Sequence, residues 1–223
     1  MYLEKITKLI PVPEDPVCTG DSAQIKKLED TLNIKLPTDY YELTKTYGAG
    51  YFGGSFIVYN PFIEYEPLNL LFMLKENRYY YECAKKSWNM ELPGIDIKGA
   101  DALLALYEAQ RNENGKFYSC GDEFDNIGHP FSFFPEKEGL FPCCEYNGEY
   151  TIYWKTGEEK WTIVVYSDDC YSEFDMSLTE FIYKLISKEI NLPTLYNIFT
   201  LKGLMFEKYT EIWKIYFAQI TQK

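Results

Sequence analysis

Arginine and histidine are nearly missing from this chain. Among its 223 residues only Arg78 and Arg111 are arginines, and His129 is the sole histidine. Few bidentate guanidinium clamps for phosphate or carboxylate are therefore on offer. A Ser/His or Cys/His hydrolase would have to place His129 beside a nucleophile and an orienting acid. The His129-Pro130 pair reads instead as a loop-to-strand junction before Phe131, Phe133 and Phe134. The six cysteines (Cys18, Cys83, Cys120, Cys143, Cys144 and Cys170) form no CxxC or Cys/His ligand spacing, which argues against a structural zinc site and for reduced thiols. No apolar run approaches the roughly 20 residues that span a bilayer. No basic segment followed by an apolar stretch opens the chain, so a cytoplasmic protein off the membrane is expected. The glycines Gly48, Gly50, Gly53 and Gly54 follow a helical pattern and precede a strand, the wrong order for a dinucleotide fingerprint, and no phosphate-loop lysine accompanies them. They read as a turn.

What the chain does hold is aromatic and acidic. Aromatic residues make up 18%, with 21 Tyr and 15 Phe, and hydrophobic residues 46%. A substantial core is affordable, and disorder is excluded. The formal net charge of -12 opposes direct nucleic-acid binding, which needs a basic footprint. A soluble acidic cytosolic protein comes first among its readings, and steering toward a basic protein partner second.

Along the chain, Pro11, Pro13 and Pro16 stop any first helix by about Ile10. Asp21 with Gln24 has capping-box spacing, and Ile25, Leu28 and Leu32 follow as one apolar stripe. Pro37 suits a first helical position, Tyr40, Leu43 and Tyr47 give that helix its inward face, and Gly48 suits its C-terminal cap. A strand is expected from Ser55 to Tyr59. Residues 60 to 139 show a weaker pattern, with a short apolar run at Leu68 to Leu74. Helices are expected at Lys75 to Trp88 and Ala100 to Gln110, a turn at Asn112 to Gly115, and a strand at Lys116 to Cys120. Leu140 to Tyr146, Tyr150 to Lys155 and Trp161 to Ser167 then form an antiparallel meander, with Asn147-Gly148 as its first turn. Ser177 to Glu180 is a capping box for a helix whose buried face is Leu178, Phe181, Ile182, Leu185 and Ile186. A last helix is expected from about Leu204 to Gln219, carrying Met205, Tyr209, Ile212, Trp213, Tyr216 and Ile220. No internal repeat or flexible linker is visible.

This order (helix, Leu36-Pro37 helix, glycine turn, strand, Gly139-Leu140-Phe141-Pro142, Asn147-Gly148, Trp154, Trp161 to Val165, and a closing Ser-x-x-Glu-Phe helix) resembles the SMI1/KNR4 family of the SUKH superfamily over about residues 22 to 190. The resemblance implies an α+β fold, a curved and mostly antiparallel sheet with helices at its edge and on one face, here with a C-terminal helical extension. It divides the chain into an N-terminal segment 1–20, a domain 21–190 with an insertion at about 60–135, and an extension 191–223. With one histidine and no metal or phosphate motif, an enzyme is the weakest reading and no cofactor is expected. Bacterial members resemble immunity proteins that bind and neutralise a cognate toxin, often a nuclease. Fungal relatives are tied to cell-wall synthesis and signalling. The low arginine content and the lack of disordered arms point to the bacterial branch. Members often carry a Trp-Gly pair after the stretch matching Leu140-Phe141-Pro142, where this chain has Cys143-Cys144. Neighbouring strand residues point to opposite faces, so a bond between these two thiols is not expected.

Candidate contact residues follow. Asp122, Glu123 and Asp125 form an acidic loop whose spacing is wrong for a calcium loop. A solvated loop comes first among its readings, a partner contact second, and metal or catalysis last. Asp168 and Asp169 are similar, as a turn first and a contact second. Trp154 and Trp161 flank one turn, where core or hairpin packing comes first, and Tyr51 and Trp154 stand second as candidate aromatic anchors for a partner.

Overall fold

The computed structural model describes residues 1–54, 56–88, 115–119, 131–146, 148–167, 170–190 and 204–210. The expected helix at Ala100 to Gln110, the turn before Gly115, the glycine-turn partner Asn147, and residues 211–219 of the expected last helix lie outside them.

Three helices open the chain: α1 (Tyr2–Leu9), α2 (Ser22–Leu32) and α3 (Thr38–Tyr47). The Asp21 carboxylate accepts from the amides of Ala23 and Gln24, both at 2.8 Å, and Gln24 returns the bond to the Asp21 amide, so the capping box forms as its spacing implies. Pro37 stands at the N-cap of α3, one position before the expected place. Gly48 ends that helix at φ 71, a backbone angle that favours glycine. Tyr40, Leu43 and Tyr47 of α3 are buried. The hydroxyls of two of them donate 2.7 Å bonds, Tyr40 to the Tyr59 carbonyl and Tyr47 to the Ile10 carbonyl.

The strands are β1 (Gly50–Phe52), β2 (Phe56–Val58), β3 (Gly115–Ser119), β4 (Leu140–Tyr146), β5 (Tyr150–Lys155), β6 (Thr162–Ser167), β7 (Cys170–Phe174) and β8 (Phe206–Lys208). They form one sheet in the order β3-β7-β6-β5-β4-β2-β1-β8, antiparallel at each pairing. Helix α4 (Leu70–Trp88) and α5 (Leu178–Ile186) complete the described elements, with a short 3₁₀ turn at Glu66–Leu68. The fold is α+β, with a multi-stranded antiparallel sheet and flanking helices. No described helix is long and apolar enough to cross a membrane.

Alternation along the strands sorts the core. Phe141, Ile152, Trp154, Ile163, Val165 and Phe174 meet Ile6, Leu28, Tyr40, Phe181 and Ile182 of the helices in one cluster. Their strand neighbours Leu140, Tyr153, Val164 and Tyr171 join Phe131 and Phe133 in a second. The Arg78 guanidinium, on α4, donates to the Phe133 carbonyl at 2.9 Å and reaches Glu136 at 3.4 Å, fixing the loop before β4.

Two expectations need correction. The start of the expected C-terminal helix is instead strand β8. β1 had an open edge, and Gly50, Tyr51 and Phe52 take Lys208, Glu207 and Phe206 as partners. The Phe206 ring then sits 4.8 Å from Phe52 and 5.1 Å from Tyr47. Tertiary pairing has overridden helical spacing. Cys143 and Cys144, in turn, do not divide between opposite faces. A bulge shifts the β4–β5 register between Pro142 and Cys144, and both fully buried thiols pack into the same cluster. They are free, and the Cys143 thiol donates to the Ile152 carbonyl at 3.3 Å.

Candidate functional site

The β5–β6 turn, the α2–α3 link and the N-terminus of α5 converge at one end of the sheet. Gly157 permits this turn, because a Cβ there would collide with the Lys160 carbonyl. Two adjoining cavities open between these segments. One, of about 380 Å³, is lined by Leu36, Pro37, Asp39, Glu159, Ser177 and Leu178 among others. The other, of about 330 Å³, runs on past Ile34, Phe134, Pro135 and Glu138. They share Lys35, Gly157, Glu158 and Trp161, and so form one groove.

The groove wall is built by Asp39. Its Oδ2 accepts from the Thr179 amide at 2.8 Å and the Thr179 hydroxyl at 3.0 Å, so α3 caps the first turn of α5. Ser177 is the N-cap of α5 and accepts from the Glu180 amide at 3.3 Å. The Glu180 side chain does not close the capping box. It takes bonds from Lys184 and from the Tyr2 hydroxyl instead.

The floor is aromatic. Trp161 lies 5.8 Å from Trp154 in an edge-on contact and 6.2 Å from Phe141. Trp161 is half-buried and lines both cavities. Trp154 is only 1% exposed, packed edge-on against Tyr40 at 4.9 Å, and its buried indole N–H has no hydrogen-bond partner among the described residues.

Of the residues singled out from sequence, Tyr51 and Trp154 are not surface anchors in this structure. Trp154 shares the phase of Ile152 on β5 and points into the main core. Tyr51 is 2% exposed, covered by Ile63, Leu68 and Tyr209, and burial raises its phenol pKa. Asp122, Glu123, Asp125, Asp168, Asp169 and His129 lie outside the described residues. Asp39 is not among the residues singled out from sequence, and the core packing placed first for Trp154 agrees with its burial. Trp161 shares the phase of the buried Ile163 and Val165, but it stands before the first paired residue of β6, Thr162, and remains half-buried at the strand end.

Among the described residues, no group of three or more His, Cys, Asp or Glu is placed to hold a metal ion. The groove lining contains neither His nor Cys. Its Ser177 and Asp39 already serve as helix caps.

A family model described as SMI1-KNR4 cell-wall, SUKH_6, matches residues 22–182. No curated protein and no solved structure matches the chain significantly. The family match runs from α2 into α5 and takes in most of the sheet and both walls of the groove. The chain belongs to the SMI1/KNR4 (SUKH) family.

Proposed function

We propose that this chain is a non-catalytic protein-binding module, an immunity protein that neutralises a cognate bacterial toxin by direct contact. The observation that carries the reading is the state of the groove's polar groups. The Ser and Asp that could serve chemistry there are bound into the α3–α5 junction, which leaves an open, aromatic-floored groove suited to holding part of another protein. Family membership is consistent with such a role. The net charge of -12 favours a basic partner such as a nuclease. In this reading Asp122, Glu123, Asp125, Asp168 and Asp169 contribute charge contacts.

The test is co-expression with the toxin encoded beside this gene. Growth should be restored and the two proteins should co-purify as a complex that weakens as salt rises. Continued toxicity, with the chain present and folded, would remove the immunity reading.

A second reading draws on the family description, which names the cell wall. A regulatory or scaffold module of that kind would have no toxin gene beside it, and its deletion would alter sensitivity to wall-active inhibitors.

A further inference from the structure

The charge balance around the groove narrows what can occupy it, an inference that rests on the binding reading above. Each cation lining the groove has an acidic partner: Lys35 pairs with Glu29 at 3.6 Å, Lys137 with Glu158 at 3.3 Å and Lys160 with Asp175 at 2.6 Å, while the lining Glu136 is taken by Arg78 at 3.4 Å. Glu138 on one cavity and Glu159 on the other are left over. Both are exposed, and neither side chain has an ion-pair partner among the described residues. The Lys137–Glu158 pair is 79% and 84% exposed and so weak, but releasing Glu158 would also free Lys137, so it adds no net charge. An incoming cation therefore finds the two uncompensated carboxylates of Glu138 and Glu159.

Between them lies the half-buried indole of Trp161, a surface on which an ammonium or guanidinium group stacks favourably. The two cavities, about 330 and 380 Å³, fall in the range that holds side chains rather than a whole folded element. We propose that the groove docks an extended basic segment of the partner protein. Its Lys or Arg side chains cross Trp161 and meet Glu138 at one end and Glu159 at the other. Charge complementarity selects this occupant over an acidic peptide or a nucleic acid, which those two carboxylates would repel.

The experiment is a titration of the ¹⁵N-labelled full chain with an acetylated, amidated Lys-Arg-Gly-Lys-Arg peptide, set against its Glu-Asp-Gly-Glu-Asp counterpart. The basic peptide alone should shift the Trp161 indole and the amides of residues 34–36, 38, 39, 134, 136–138 and 156–161. Combining Glu138→Lys with Glu159→Lys should raise the apparent Kd roughly tenfold. Combining Glu14→Lys with Asp15→Lys changes net charge equally away from both cavities, and should leave the Kd within about twofold. Trp161→Ala, shown folded by circular dichroism, should also lose the peptide. Four outcomes would each overturn the assignment: no shifts, shifts spread over the whole surface, equal weakening by the two double variants, or binding of the acidic peptide. A chain that neutralises its toxin in cells yet gives one of these loses the groove assignment and keeps its function. One that binds the basic peptide here but fails in cells does the reverse.

Discussion

Asp39 joins two helices far apart in sequence, and its environment explains why an acidic residue stands there. An N-terminal helix turn leaves amides unpaired and carries partial positive charge. The Asp39 carboxylate supplies the acceptor to the Thr179 amide from another element. Asp39→Ala should cost about 1–2 kcal/mol in urea unfolding, in the range of lost helix caps. Asp39→Asn, which keeps a carbonyl acceptor, should cost less. In a double-mutant cycle with Thr179→Val, the coupling should be about 0.5–1 kcal/mol; a value near zero would show that the hydroxyl contact at 3.0 Å contributes nothing. None of this was legible in the sequence. The Leu36-Pro37-Thr38-Asp39 stretch announces a helix start, whereas its bond to Thr179 depends on how two distant helices dock.

Among the elements, β8 departs furthest from what local pattern implies. Gly50 makes its docking possible: a Cβ at that position would press on the Glu207 carbonyl and lie 2.5 Å from the Phe206 ring. Gly50→Ala should therefore loosen β8 and destabilise the fold by about 1–3 kcal/mol, the usual range for overpacking. Faster tryptic cleavage after Lys208 should accompany it, and unchanged cleavage with unchanged stability would refute the close approach. The meander was far easier to read. Alternation and the Asn147-Gly148 turn signal give β4, β5 and β6 at the expected places, because adjacent strands joined by short turns need only local information. Pairing of β8 with β1 does not. The β4 bulge escaped for a related reason. A one-residue register shift leaves no mark in the composition of Pro142-Cys143-Cys144, yet it decides where two thiols go.

For the whole molecule, the abundance of tyrosine sets a limit on alkaline stability. Burial raises the phenol pKa of Tyr40, Tyr47, Tyr59 and Tyr153 above the ordinary value. Below pH about 10 a phenol is neutral in both folded and unfolded chains, so the raised values change nothing. Above it the unfolded chain ionises while the folded one holds its protons, and stability falls by about 1.4 kcal/mol per tyrosine per pH unit until the folded-state values are reached. Unfolding should accordingly be cooperative near pH 11, with phenolate absorbance and far-ultraviolet circular dichroism changing together. Gradual ionisation with the fold intact would mean that these hydroxyls are reachable by solvent. The sequence declared the tyrosines, the α+β class and the family pattern. It left open which aromatic residues stay at the surface, because that depends on which sheet face is covered, as Tyr51 and Trp154 both show.

The pairing of Gly50 with Lys208 also has a consequence in time. A ribosome adds roughly 5–20 residues per second, so β1 emerges on the order of ten seconds before the strand that covers it. Throughout that interval the nascent sheet ends in an uncovered strand, with amides and carbonyls able to pair with any extended chain nearby. Synthesis of the C-terminal segment thus closes a window of vulnerability, and the rate of translation through residues 53–205 sets how long that window stays open.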